Sequence, residues 1–116
     1  MWTQLQAPPV SDVPSRATAA LIPDAYRLAE RLDDSDRDLI LRVRDFVAAE
    51  VLSVINDAWE EARFPEQLLP HLAKLGVVGG MIQGHGCAGL TPLQYGLVSM
   101  ELSRGDGSIN TFLGVH

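Results

Sequence analysis

At 116 residues, 47% apolar and 21% charged, the sequence describes one ordinary folded domain or part of one. A net charge of −6, one lysine (Lys74) and no basic stripe exclude nonspecific nucleic-acid binding, which needs clustered Lys and Arg. The lone Cys87 excludes an internal disulfide and suits a reducing compartment, and no apolar run approaches the roughly 18 residues of a membrane span.

The N-terminus lacks the basic start and apolar centre of a secretory signal, so a cytoplasmic location is expected. Residues 1–22 read as a flexible extension, with Pro8, Pro9 and Pro14 among Ser11, Asp12, Ser15 and Thr18. Within it Ala19, Ala20, Leu21 and Ile22 could pack on the domain as an arm. Tyr26, Leu28, Ala29 and Leu32 give the incomplete stripe of a short helix over residues 23–32.

A longer helix starts near Asp34 or Ser35, with Ser35 as the expected cap and Asp36 and Asp38 at the positive end of the helix dipole. Leu39, Val43, Phe46, Val47 and Val51 form its inward stripe, continued by Val54, Ile55 and Trp59. Arg37, Arg42, Arg44, Asp45 and Glu50 form a solvated face. The helix reaches about Ala62, with a bend expected near Leu52 and Ser53, and Phe64-Pro65 stops it.

A second helix buries Leu68, Leu69, Leu72 and Leu75. It is well formed from Pro70 and closes on a left-handed Gly76. After a glycine-rich stretch, Thr91-Pro92-Leu93-Gln94 is a capping-box start. Leu93, Leu97 and Met100 form one stripe and Tyr95, Val98 and Leu102 another, so this helix is expected to be buried on two sides. Gly105-Asp106-Gly107-Ser108 breaks it, and Ile109, Phe112, Leu113 and His116 begin a further stripe without a persuasive end. The coarse expectation is all-α, incomplete at its C-terminal edge.

Residues 79–89 hold five of the ten glycines and the Cys, and contain Gly84-x-Gly86-x-x-Gly89. A dinucleotide fold uses that spacing between a strand and a helix. Val77-Val78 and Met81-Ile82 could supply a short strand. However, two helices precede it, no second strand follows, and Glu101 comes too early for a ribose ligand about 20 residues on. A tight connector between helices is the other reading. His85 and Cys87 are too few for a zinc site, His71 and His116 lie elsewhere, and no third group orients a Cys–His nucleophile. Asp33, Asp34 and Asp36 read as helix-start acids, and Glu60-Glu61 as a surface pair.

Four blocks in order carry a family resemblance. They are Val43-Arg44-Asp45-Phe46-Val47 with Glu50-Val51-Leu52; Phe64-Pro65 with Leu72-Ala73-Lys74-Leu75-Gly76; Gly84-His85-Gly86-Cys87-Ala88-Gly89-Leu90; and Tyr95-Gly96-Leu97 with Glu101-Leu102-Ser103-Arg104-Gly105-Asp106. Over residues 24–116 the sequence resembles the acyl-CoA dehydrogenase family, in its glutaryl-CoA dehydrogenase-like and short-chain acyl-CoA oxidase-like branch. The resemblance implies that residues 23–116 are a truncated N-terminal helical domain, to which a β-domain and a four-helix domain would be added. It also implies FAD, a glutamate base beyond His116, α,β-desaturation of an acyl-CoA thioester with hydride transfer to FAD, and a homo-oligomer at full length. An electron-transfer flavoprotein or O₂ would then take the electrons.

On that comparison the 116-residue chain is expected to be inactive alone, with no catalytic, cofactor-binding or metal residue of its own. In glutaryl-CoA dehydrogenases an arginine–serine pair in the helix after the Arg-x-Asp turn lies near the distal end of the substrate. Asn110 and Thr111 match those positions as substrate-binding residues. Asn lacks the charged fork that binds a carboxylate, which favours a neutral acyl chain. Two further readings stay open: a non-catalytic helical interaction module and a dinucleotide-binding protein.

Overall fold

The computed structural model describes residues 28–116. The extension, its arm and residues 23–27 of the expected short helix lie outside the described residues. The chain divides into Met1–Arg31 and Leu32–His116, and the described part of the first is a 3-10 turn, Leu28–Arg31.

The second unit is helical, with no strand among the described residues. Helix α1 spans Asp34–Phe46. Its cap is Asp33 rather than Ser35: the Asp36 N–H donates to Asp33 Oδ1 at 2.9 Å, and the Ser35 hydroxyl donates to the same oxygen at 2.8 Å. Asp33 is in extended geometry just before the first helical residue, where a short carboxylate reaches the free N–H groups.

One π-helical turn, Val47–Val51, joins α1 to α2, Leu52–Glu60. The expected irregularity thus lies one turn earlier than Leu52-Ser53, and the apolar spacing gives the reason. Leu39, Val43, Val47, Val51 and Ile55 are all buried and recur every fourth residue. In an α-helix each such step drifts by about 40°, so the stripe would wind off the core. A π turn accommodates an extra residue and brings it back. Trp59, placed inward by continuing the stripe, is instead 66% exposed. Helix α2 ends before Phe64-Pro65: Ala62 takes φ 51°, and the Arg63 N–H donates to the Ala58 carbonyl at 3.0 Å.

A 3-10 turn, Glu66–Leu68, leads into α3, Leu69–Leu75, with Pro70 in its first turn and a left-handed Gly76 (φ 72°, ψ 35°) closing it. Leu68 and Leu72 are buried, whereas Leu69 is exposed. Helix α4, Pro92–Gly105, opens with the expected capping box: the Gln94 N–H donates to Thr91 Oγ1, and the Thr91 N–H to Gln94 Oε1. Helix α5 is Gly107–Val115.

Helix α4 packs on α1 and α5, with α3 against α1. Val98 and Leu102 enter one core with Val43, Val51, Leu72, Val77, Ile109 and Leu113. The other stripe of α4 does not: Leu93 is 55% and Met100 39% exposed, so the helix is buried on one side of this unit. Among the described residues no helix is long and apolar enough to cross a membrane.

Candidate functional site

Asn110 and Thr111, the positions expected to bind substrate, sit on α5, and three devices fix the start of α5 and the helix α4 that leads into it. The first is the α4–α5 break. Asp106 is extended, and its carboxylate accepts from the Ser108 N–H at 2.8 Å and the Ile109 N–H at 3.1 Å, capping α5. Its other oxygen accepts from the Trp59 indole N–H at 2.8 Å, tying α2 to the same corner. Burial alone would push the Asp106 carboxyl up. The Trp59 bond and the two backbone donors outweigh it and hold the group below its ordinary value.

The second device is an ion cluster that periodicity did not reveal. Glu101 is 1% exposed and takes Arg44 in a fork, Nη2 to Oε1 at 2.6 Å and Nε to Oε2 at 3.1 Å. Arg104, one turn on, adds a bond at 3.1 Å. Arg44 therefore leaves the solvated face to which its position on the α1 wheel assigned it. A buried carboxylate is tolerated only when paired, and 57 residues separate this pair, beyond any local signal. Gln94 Nε2 similarly donates to the buried Asp36 at 3.0 Å.

The third device is close packing at Gly105. A Cβ there would lie 2.6 Å from Val47 Cγ1, so the end of α4 rests directly on the π turn.

Asn110, half-buried, and Thr111, exposed, thus project from a helix fixed at its start. The Thr111 hydroxyl donates to the Gly107 carbonyl at 3.0 Å, back along its own helix. The Asn110 amide makes no side-chain hydrogen bond among the described residues. A shallow cleft of about 430 Å³ lies nearby, lined by Trp59, Ala62, Phe64, Pro65, Ser108 and Ile109. Asn110 and Thr111 do not line it.

The glycine-rich stretch does not build a phosphate cradle. It is a chain of turns, with Gly84 and Gly86 facing open space. The α4 N-terminus beyond it is closed by Thr91 and Gln94. Gly79 is there for conformation and space: φ is 78°, and a Cβ would meet the Cys87 side chain at 2.6 Å. The connector reading holds and the dinucleotide reading fails. No group of three His, Cys, Asp or Glu among the described residues could hold a metal. Glu60 is exposed, and Glu61 pairs with Arg63 on the surface.

Comparison with known proteins agrees with this architecture. Residues 33–116 match the family model described as acyl-CoA dehydrogenase, N-terminal domain. The crystal structure of a glutaryl-CoA dehydrogenase from Mycobacterium smegmatis in complex with FADH2 is similar, with 35% sequence identity and a TM-score of 0.72. The match covers 77% of this chain and 23% of that one, so the chain spans about a quarter of its relative's length. The four sequence blocks, the helical fold they adopt and a family match across most of the chain lead to one assignment: the chain belongs to the acyl-CoA dehydrogenase family, over the family's N-terminal domain.

Proposed function

We propose that this chain works as the N-terminal helical part, residues 23–116, of a flavin-dependent acyl-CoA dehydrogenase that desaturates an acyl-CoA thioester between its α and β carbons. The observation that carries the reading is the family match over residues 33–116, supported by a 35%-identical relative whose crystal structure holds FADH2. FAD would supply the hydride acceptor. The described residues offer it no pyrophosphate cradle, and no step is assigned to them through it. An electron-transfer flavoprotein or O₂ takes up the electrons, the working enzyme is a homo-oligomer, and its location is cytoplasmic.

What these residues contribute is shape and polarity at one wall of the acyl site. Asn110 and Thr111 sit at the distal end of the acyl chain. Asn110 brings an uncharged amide with no side-chain hydrogen bond among the described residues to give up, and Thr111 brings a hydroxyl already anchored on its own helix. An uncharged pair of this kind favours a neutral acyl chain over a dicarboxylic one, because a carboxylate there would lose its hydration without gaining a cation.

The purified 116-residue chain should neither retain stoichiometric flavin nor turn over acyl-CoA. When residues 33–116 replace the matched segment of the Mycobacterium smegmatis enzyme, the chimaera should bleach its flavin with butyryl-CoA more readily than with glutaryl-CoA. The opposite preference would sink the assignment of Asn110 and Thr111. Absence of bleaching by any acyl-CoA in a flavin-loaded chimaera would sink the catalytic reading.

A further inference from the structure

Tyr95 lies in the first turn of α4, half-buried, and its hydroxyl makes no hydrogen bond among the described residues. Its ring rests on the glycine-rich connector. A Cβ on Gly80 would lie 2.8 Å from Tyr95 Cε2, and the Gly80 carbonyl is held by the Leu90 N–H at 2.9 Å. The ring edge thus lies on fixed backbone, where a side chain at position 80 would displace it. At the far end of the ring, the hydroxyl lies 3.5 Å from the point that a Cβ on Gly114 of α5 would occupy. At about 100° per residue, position 114 falls about 40° from Asn110 and about 60° from Thr111, between the two around the helix. Gly114 and Thr111 are exposed and Asn110 half-buried, so this side of α5 turns away from the core that Ile109 and Leu113 enter. The Tyr95 hydroxyl therefore joins it one turn beyond Asn110, where Gly114 has no side chain to cover it.

We infer that Tyr95 is a third specificity-determining residue of the acyl site, and that the acyl chain it suits ends in an uncharged hydrogen-bonding group such as a carboxamide. The inference rests on the functional reading above, which sets Asn110 and Thr111 at the distal end of the chain. Two polar groups then meet that end with no side-chain partner among the described residues: the Asn110 amide and the Tyr95 hydroxyl. Together they offer donors and acceptors at once. An alkyl tip would cover both and return no hydrogen bond, and a polar group buried without a partner is costly. A carboxylate could accept from both, but Asn110, Thr111 and Tyr95 supply no cation to replace the water that its charge loses. A carboxamide donates and accepts without that charge, so it answers both groups.

The test uses two thioesters whose tips have the same shape, glutaramyl-CoA with a carboxamide and 5-methylhexanoyl-CoA with an isopropyl group. Their binding to the chimaera is measured by calorimetry after the flavin is reduced, so that no hydride transfer intervenes. Glutaramyl-CoA should bind about tenfold more tightly than 5-methylhexanoyl-CoA, because a site that hydrogen-bonds a group rejects the analogue lacking it. Glutaryl-CoA should also bind more weakly than glutaramyl-CoA. Tyr95→Phe removes the hydroxyl and keeps the ring on Gly80, and it should cut the carboxamide preference about threefold or more. Gly114→Val, which sets a side chain beside the hydroxyl, should cut it as well. Equal binding of the two thioesters overturns the inference, and so does a preference that Tyr95→Phe leaves unchanged. Should the Tyr95 variant fail to fold, Gly114→Val decides in the same way. If the two thioesters bind alike while butyryl-CoA still bleaches the oxidised flavin, the inference falls alone. If no acyl-CoA bleaches it, the catalytic reading falls, and the binding measurements still decide the role of Tyr95.

Discussion

Asp106 shows how much one side chain can organise: it caps α5 with two hydrogen bonds and holds Trp59 of α2 with a third. Asp106→Ala should cost about 2 kcal/mol by urea denaturation, an N-cap loss plus an exposed charge-assisted bond. Because its folded pKa is depressed, its contribution is complete above the ordinary value of 3.8 and fades as the pH falls below that toward the folded value. The stability lost on Asp106→Asn substitution should therefore shrink only under those acidic conditions. The left-handed positions give a second residue-level test. Ala62 closes α2 at φ 51°, where glycine is unstrained, so Ala62→Gly should stabilise by about 1 kcal/mol. Gly79→Ala should destabilise more than Gly86→Ala. Both pay about 1–2 kcal/mol for the backbone, but only Gly79 has Cys87 in the way. Equal losses in thermal melts would show that Cys87 moves aside freely.

Between elements, the decisive contact is the Arg44–Glu101–Arg104 cluster that staples α1 to α4. Removing Arg44 alone leaves Glu101 buried with only the half-exposed Arg104 for company, so Arg44→Met should cost about 3–5 kcal/mol. Adding Glu101→Leu should restore much of that loss, since a packed apolar pair needs no desolvation of charge. A double variant no more stable than Arg44→Met would mean that the cluster contributes through shape rather than charge. The π turn works at the same scale. By re-phasing a stripe of every-fourth-residue contacts, it keeps Val51 and Ile55 on the core and sets Val47 against Gly105.

At the scale of the whole molecule, α4 leaves Leu93 and Met100 exposed and α5 leaves Val115 exposed, outside the core that Val98, Leu102, Ile109 and Leu113 enter. The substrate preference belongs here, because it depends on what the domain meets. Asn110→Arg in the chimaera should raise the glutaryl-CoA to butyryl-CoA ratio of kcat/KM by tenfold or more, as a guanidinium supplies the carboxylate's missing partner. No change in that ratio would remove Asn110 from the acyl site.

Local chemistry by itself determined the helix starts and stops that rest on neighbouring residues: the Thr91–Gln94 capping box, Gly76 as a left-handed end, and the Gly105–Ser108 break. It also determined the inward stripe from Leu39 to Val51 and the family, since the four motif blocks are built from short runs of neighbouring residues in a fixed order. Asp33 in place of Ser35 as cap, and Ala62 in place of Phe64-Pro65 as stop, turned on backbone angles that several neighbouring residues could have adopted. Only the tertiary structure decided what links distant segments. Arg44 reaches Glu101 across 57 residues and Trp59 reaches Asp106 across 47, pairings for which helical periodicity carries no information. Periodicity also treats every apolar stripe as inward, so it could not tell the buried side of α4, with Val98 and Leu102, from the exposed side, with Leu93 and Met100. Which side of an amphipathic helix meets its own core is settled by the neighbours that pack there, and those are fixed only when the whole chain folds.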